Sequence, residues 1–319
     1  MTATEKTPRG SVGAPRGLSL ALGGGGSRGI SHLGVLQAVR DQGFRVDHIS
    51  GISIGAIAGA MCATGEPIET ILTKTLNFVH SNVFRRCRSQ MFGLTPAQGY
   101  QGNGWLQRCR KLLATPKSMA RALRSSALLP ASVLHTVVDE LLPDTAIEDL
   151  PVPFSVVAVD VLSGKRVVID HGSLRDAVRA SSSIPGVFPP VAWEGKLLCD
   201  IGVFETVPAA TAKRRAGDLT VAVDVSDQVV AIDRCNNILE VMSRMQHLAE
   251  SELRNYSLLH ADVVVRPAIG RRAWYDFEET DSLISLGYQA AVESLARHVV
   301  TPVISTGSAP MIGTSSEAV

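Results

Sequence analysis

Ser53 combines the residue type and the surroundings best suited to chemistry in this sequence. It lies in Gly51-Ile52-Ser53-Ile54-Gly55, which matches the G-x-S-x-G pattern of a nucleophilic serine at a sharp turn from a strand into a helix. Glycines on both sides let strand and helix approach closely, and the helix N-terminus favours a developing negative charge. A glycine-rich turn capped by serine has the same pattern. The apolar strand before the segment and the small residues after it, Ala56 to Ala63, favour the nucleophile.

Four successive glycines, Gly23 to Gly26, follow the first predicted strand. A serine that attacks an acyl group needs hydrogen-bond donors where the oxyanion forms, and the backbone amides of a second loop can supply them. Glycines leave such amides unshielded, and Arg28 adds a positive charge at the start of the next helix. This loop is therefore predicted to bind an anion.

The same loop also fits a dinucleotide-binding fingerprint. The segment from Gly24 to Gly29 reads G-x-G-x-x-G after a strand. That fingerprint requires an acidic residue at the end of the second strand, where it binds the ribose. Here the second strand ends in the Ser53 segment, and Asp47 lies at or before its start. The nucleotide interpretation is therefore disfavoured.

A serine hydroxyl needs a base to accept its proton. The chain has eight histidines, and none lies in a motif that marks a catalytic base. His260 and His298 are late enough for the order serine, acid, histidine. Asp200 is the stronger candidate, because it ends the predicted strand Leu197 to Cys199, where its carboxylate would project into a cleft. An ordinary turn aspartate would have the same local pattern.

Predicted strands and helices alternate along the chain, which indicates an α/β fold with three layers, α/β/α, and a mainly parallel central sheet. The predicted strands are 18–22, 46–50, 154–160, 166–169, 197–199, 219–225 and 262–265, and the predicted helices are 27–42, 56–63 and about 237–259.

Composition and charge place the chain among globular proteins. It has 319 residues, 45% of them hydrophobic, and a net charge of +1. We expect a loose tail over residues 1–17, one catalytic domain over 18–305 and a disordered tail over 306–319. The five scattered cysteines favour a reducing compartment, hence a cytoplasmic protein, and neither a signal peptide nor a membrane span is predicted. No residue cluster has the spacing of metal ligands, and no cofactor is predicted.

Residues 70–138 contain ten Lys or Arg and no Asp or Glu. The stretch is predicted to be an inserted region of helices and loops that bears Phe84, Phe92, Tyr100 and Trp105. It could contact anionic lipid headgroups, since basic residues near an acidic bilayer favour binding. Solvated surface is the alternative. Nucleic acid is a poorer candidate partner, because the net charge is small and no reading module is recognised.

Taken together, four segments resemble the patatin-like phospholipase family, closest to its bacterial branch, over about residues 18–225. They are GGGGSRGISHLGVL from Gly23, GISIGA from Gly51, ASSSIPGVFPPV from Ala180 and DIG from Asp200. The resemblance implies a patatin-like fold and a Ser53–Asp200 dyad without histidine, in which water releases the fatty acid. It assigns the oxyanion donors to Gly24, Gly25 and Gly26, with Arg28 in support. Four further glycines belong to the matching motifs: Gly29, Gly51, Gly55 and Gly202.

The sequence departs from the family pattern after the aspartate. The family has D-G-G or D-G-A where this chain has Asp200-Ile201-Gly202, and Thr206 stands where Asn is expected. Isoleucine does not easily adopt a positive φ. If the usual glycine needs that conformation, or makes room for substrate, activity would be reduced or narrowed here.

Three functions remain open at this point. The first is a serine lipid acyl hydrolase, that is, a phospholipase, lysophospholipase or esterase acting on acyl lipid or phospholipid. The second is an acyltransferase on the same dyad. The third is a catalytically weak scaffold that binds acyl lipid. The sequence predicts the hydrolase, because both proposed catalytic side chains and the glycine loop are present.

Overall fold

The computed structural model describes residues 17–92, 125–213, 219–270, 272–273 and 275–299. Within them, eight strands form one sheet: β1 Gly17–Leu22, β2 Arg45–Gly51, β3 Phe154–Asp160, β4 Lys165–Ile169, β5 Val191–Trp193, β6 Lys196–Asp200, β7 Leu219–Val223 and β8 Val263–Val265. The pairs β2–β1, β1–β7, β7–β8 and β2–β3 are parallel, whereas β4 and β6 pair with β3 in antiparallel fashion. The prediction of a mainly parallel central sheet is confirmed.

Strand β3 has two edges that are used differently. One edge pairs with β4 over Val156–Asp160. The other edge is divided: its first half pairs with the end of β2, and its second half pairs with β6. Because β2 is parallel to β3 and β6 is antiparallel, the carboxyl ends of β2 and β6 face each other along that edge.

Helices cover both faces of the sheet. They are α1 Ser31–Asp41, α2 Ile54–Ala63, α3 Ile68–His80, α4 Asn82–Phe92, α5 Ala131–Leu141, α6 Leu174–Ser182, α7 Ala209–Ala212, α8 Ile238–Leu258 and α9 Thr280–Val299, with short 3₁₀ turns at Gly26–Ile30 and Ile147–Asp149. None of the helices in the described ranges is long and apolar enough to cross a membrane.

The alternation of side chains along β1 explains the layers. Leu18, Leu20 and Leu22 point into a large core with α1, α2 and α3, whereas Ala21 points to the opposite face. On that opposite face small residues pack against α7 and the end of α8. The three layers are therefore joined by one large and one small apolar core.

The strand predictions agree with the structure to within two residues at each end. Strand β5 and helices α6, α7 and α9 were not predicted from the sequence. The expected helical region within 70–138 contains α3, α4 and α5 at its ends, while residues 93–124 lie outside the described residues. The proposed tails, 1–17 and 306–319, also lie outside them, except for Gly17.

Candidate active site

Ser53 lies at the junction between β2 and α2, as the sequence pattern predicts. Its backbone has φ 56° and ψ −123°, in a region that non-glycine residues rarely occupy. Such a conformation costs about 1–3 kcal/mol and is found at functional sites. The chain is held in it because the Ile52 amide donates to the Leu22 carbonyl oxygen at 3.1 Å and the Gly55 amide donates to that of Ile52 at 2.9 Å.

The glycines that flank Ser53 are required by close backbone contacts. A Cβ added at Gly51 would lie 2.5 Å from the Ala56 Cα, and one at Gly55 would lie 2.2 Å from the Leu22 carbonyl oxygen. Both atoms belong to the backbone, so neither can move aside cheaply. Any side chain at these two positions would therefore push α2 away from the strands and displace Ser53.

Asp200 is the last residue of β6 and is buried. Its amide donates to the Ser183 carbonyl oxygen at 2.9 Å, and its carboxylate Oδ1 accepts from the Gly202 amide at 2.8 Å. Two backbone interactions therefore determine where the strand ends and how the carboxylate is turned.

The strand register brings these two segments to the same place. On the shared edge of β3, Gly51 pairs with Val156 and Asp200 pairs with Ala158. Two residues along a strand span about 7 Å. Ser53 begins its turn just beyond Gly51, so its segment leaves the sheet where the Asp200 segment arrives.

Three consecutive serines at the end of α6 connect Ser53 to Asp200. The Ser53 amide donates to the Ser181 hydroxyl at 3.1 Å, and the Ser182 hydroxyl donates to the Ser53 carbonyl oxygen at 3.3 Å. Ser183 in turn accepts from the Asp200 amide, as described above. The ASSSIPGVFPPV segment is thus hydrogen-bonded to both candidate catalytic residues and positions them relative to each other.

The glycine loop lies directly beside Ser53. A Cβ added at Gly24 would lie 3.4 Å from the Ser53 Cβ. The Gly24 amide donates to the Thr206 carbonyl oxygen at 2.8 Å and is therefore already used. The amides of Gly25 and Gly26 have no hydrogen-bond acceptor among the described residues. Of the three glycines expected to supply oxyanion donors, Gly25 and Gly26 therefore have amides available for that role.

Arg28 orients the peptide unit between Gly25 and Gly26. Its Nε donates to the Gly25 carbonyl oxygen at 3.0 Å. In a trans peptide the carbonyl and the following N–H point in opposite directions, so the Gly26 N–H points away from Arg28. Gly26 lines the same cavity as Ser53. The Arg28 side chain therefore orients the backbone of the glycine loop.

Asp227 holds Arg28 in place and was not identified from the sequence. Its carboxylate forms an ion pair with the Arg28 Nη1, in which the Arg28 side chain is buried and that of Asp227 is partly buried. Its carbonyl oxygen also accepts from the Arg254 Nη1 at 3.1 Å. No motif marks this aspartate. Asp227 follows β7 and is far from the glycine loop along the chain, and the parallel pairing of β1 with β7 brings the two segments together.

His32 and Gly29 support the loop from α1 and its 3₁₀ turn. The His32 Nε2 donates to the Gly23 carbonyl oxygen at 2.8 Å, and complete burial lowers the pKa of His32 to about 4. The imidazole is thus neutral at pH 7 and has a structural role. A Cβ at Gly29 would lie 2.2 Å from the Ile54 side chain, so glycine lets the turn contact α2.

The alternative bases and the alternative ligand lie elsewhere. His260 is exposed and lies between the end of α8 and the start of β8. It is therefore at the amino-terminal end of the parallel strands, whereas Ser53 follows the carboxyl end of β2. The side chain of His298 lies outside the described residues. Asp47 lies in the first half of β2, where Arg45 donates to it at 2.6 Å. Asp47 is thus unsuited to bind a ribose beside the glycine loop.

Ile201 does not need a positive φ, the backbone conformation that isoleucine does not easily adopt. It is absent from the described non-glycine residues with positive φ. Its side chain is buried in a small cluster with Ile52, Val157 and Cys199. Thr206 contributes its carbonyl to Gly24, while its hydroxyl is buried without a partner among the described residues. The departure from the family pattern is thus accommodated by packing.

An apolar cavity of about 140 Å³ opens beside Ser53. Helices α1 to α5 form most of its wall, and the described part of that wall includes no charged side chain. Its polar side-chain groups are the hydroxyls of Ser53, Thr75 and Ser182. An apolar cavity next to a serine is suited to an acyl chain whose ester group lies at the mouth.

The sheet, the serine turn and the glycine loop define an α/β protein of the patatin fold. A family model described as patatin-like phospholipase matches residues 20–213. The chain belongs to the patatin-like phospholipase family.

Curated relatives agree with this assignment. An uncharacterised NTE family protein of Mycobacterium tuberculosis is 36% identical over 213 residues, which are 67% of this chain and 50% of the relative. Patatin-like phospholipase domain-containing protein 6 of Mus musculus is 30% identical over 213 residues, 66% of this chain and 14% of that protein. This chain thus spans half or less of these two relatives. The crystal structure of VipD from Legionella pneumophila matches with TM-score 0.48 and 18% identity, covering 89% of this chain and 67% of that one.

Proposed function

We propose that this chain is a serine lipid acyl hydrolase with Ser53 as nucleophile and Asp200 as general base. The observation that carries the proposal is that the Ser53 and Asp200 segments meet on one edge of β3 and are joined by Ser181–Ser183. The apolar cavity that begins at Ser53 supports an acyl substrate. No histidine lines the described part of that cavity, which supports a dyad over a triad.

The reaction would proceed in two balanced halves. Ser53 Oγ attacks the ester carbonyl carbon while Asp200 accepts the hydroxyl proton, and the amides of Gly25 and Gly26 donate to the resulting oxyanion. When the carbon–oxygen ester bond breaks, the alcohol leaves with the proton held by Asp200. Water then attacks the acyl-serine, gives its proton to Asp200, and releases the fatty acid while Ser53 regains its hydrogen.

A panel of fluorescent esters and phospholipids would test this proposal. We expect hydrolysis by the wild type and none above background by Ser53→Ala, with Ser89→Ala as a control at an exposed serine. A fluorophosphonate probe should label the wild type at the peptide that contains Ser53. Unchanged hydrolysis by Ser53→Ala would remove the nucleophile from the proposal.

The same panel separates hydrolysis from the alternatives. With glycerol or a lysolipid present, an acyltransferase would form new esters in place of free fatty acid. A scaffold that only binds lipid would turn over no substrate and would not react with the probe. Contact of residues 70–138 with anionic membranes remains part of the proposal, with the described basic residues on α3 and α4 as its testable portion.

A further inference from the structure

We propose that the cavity beside Ser53 limits the length of the acyl chain that can bind, with Met61 and Thr75 as its floor. It selects chains of about six to ten carbons. This inference rests on the proposed hydrolase function and specifies its substrate. It concerns helix α2 beyond the serine turn, which has no part in the proposed catalytic steps.

One stripe of α2 forms a wall of the cavity along its length. Ile54, Ile57, Ala58 and Met61 all line it, and their spacing places them on one face of the helix. Ser53 immediately precedes this helix. An acyl chain attached at Ser53 would therefore extend along α2, past Ala58, towards Met61.

The length of this stripe limits the chain. Ser53 and Met61 are eight positions apart, and a helix rises about 1.5 Å per residue, so the stripe is about 12 Å long. An extended hydrocarbon advances roughly 1.3 Å per carbon, from bonds of about 1.5 Å in a zigzag. Met61 leans back towards the helix N-terminus, as helical side chains do. The length therefore allows about eight or nine carbons.

The volume leads to a similar limit. The cavity has about 140 Å³, and an apolar protein cavity of about 150 Å³ is filled by a six-carbon ring. A chain of sixteen or eighteen carbons would exceed both the volume and the length. Short to medium chains satisfy both.

At the end of this stripe farthest from Ser53, α2 and α3 are in contact. Met61 is 4% exposed and Thr75 is 7% exposed, and the Thr75 hydroxyl donates to the Met61 Sδ at 3.8 Å. This interaction occupies the one polar hydrogen at the floor, so a methyl end can lie against it without leaving a buried donor unpaired. Met61 is therefore the residue whose size determines where the chain must stop.

Two substitutions should shift the selected length in opposite directions. Ala58→Leu would fill the cavity halfway along, and Met61→Ala would open its floor. Ile71→Ala is the matched control, because Ile71 is buried in α3 but does not line the cavity. Thermal unfolding and fluorophosphonate labelling would show that each variant is folded with an accessible Ser53.

The measurement is kcat/KM for p-nitrophenyl esters from acetate to palmitate. We expect a wild-type optimum between hexanoate and decanoate, with a fall of about tenfold or more by palmitate. Ala58→Leu should move the optimum to shorter esters and Met61→Ala to longer ones, while Ile71→Ala keeps the wild-type profile.

Two results would overturn the proposal in distinguishable ways. A wild-type optimum at palmitate, or a wild-type chain-length profile in both Ala58→Leu and Met61→Ala, would reject the role of Met61 in limiting chain length. Either result would leave the proposed hydrolase intact. Absence of hydrolysis and of probe labelling in the wild type would reject the hydrolase itself, and the acyl selectivity with it.

Discussion

Gly51 and Asp200 pair with the same edge of β3, at Val156 and Ala158. Two strands that run in opposite directions therefore end opposite each other, one leading into Ser53 and the other ending in the proposed base. The short distance between the two segments follows from strand register and not from a flexible loop. Substitutions that keep the backbone should therefore change chemistry without changing the fold.

Asp200→Asn should lower kcat by about 10²- to 10⁴-fold, the usual contribution of a general base. The asparagine amide oxygen can still accept from the Gly202 amide, and the strand pairing with Ala158 is unaffected. Steady-state kinetics on a soluble ester would measure the loss, with Asp176→Asn on the exposed side of α6 as control. Wild-type kcat in Asp200→Asn would assign the proton to another group.

Arg28→Lys should lower kcat by about tenfold to a hundredfold while KM changes little, since an oriented oxyanion donor acts mainly in the transition state. Lysine keeps the positive charge beside Asp227 but lacks the Nε that donates to the Gly25 carbonyl. Arg175→Lys is a matched control, because Arg175 also donates from Nε to a carbonyl, that of Leu142, at 3.1 Å. Equal effects of both substitutions on kcat would mean that Arg28 is only structural.

His32 should make the protein less stable as the pH falls from about 6.5 to about 4. Burial lowers its pKa in the folded protein from 6.5 to about 4, so the unfolded chain takes up the proton first. The loss is about 3 kcal/mol across this range. Urea unfolding at several pH values would measure it, as the difference between wild type and His32→Gln.

His171→Gln provides the control for that experiment. The carboxylates of Glu194 and Asp170 raise the pKa of His171, so its contribution to stability is present at low pH and is lost as the pH rises. The two histidines should thus change the pH slope with opposite signs. A slope unaffected by His32→Gln would show that His32 is protonated in the folded protein.

Gly34→Ala should destabilise the fold by about 3 kcal/mol or more, because overpacking against a backbone cannot relax. A Cβ at Gly34 would lie 1.8 Å from the Ile284 carbonyl oxygen, and one at Gly287 would lie 1.9 Å from that of Ser31. Helices α1 and α9 therefore touch through their backbones. Gly43→Ala, with φ +74° and no neighbour within 4 Å, should cost only about 1 kcal/mol. Denaturant unfolding would compare the two.

Arg85→Gln combined with Arg86→Gln should weaken binding to anionic vesicles by about thirtyfold at low salt, at roughly 1 kcal/mol for each charge. Both residues are exposed on α4. Co-sedimentation with liposomes containing or lacking anionic lipid would measure binding, with Lys165→Gln and Lys196→Gln as the charge-matched control. Equal pelleting of all variants would exclude α4 from membrane contact.

The parts of the site that the sequence predicted are local in the chain. The serine turn and the glycine loop were identified because a positive φ or a close backbone contact restricts residue choice within five or six positions. The long apolar strands were identified for a similar reason, since β3 is buried along its whole length. Strand β5 has only three residues and exists because it pairs with β6, so no local pattern marked it.

By itself, the sequence determined which residues could do chemistry here: a serine between glycines, a run of unshielded amides, and an aspartate at a strand end. Tertiary structure alone decided that Gly24 is already bound to Thr206, that Asp227 anchors Arg28, and that Ile201 is accommodated by packing. The physical reason is that these contacts join residues far apart in the chain. Their partners are selected by strand register and by packing of the whole core, which no short stretch of sequence specifies.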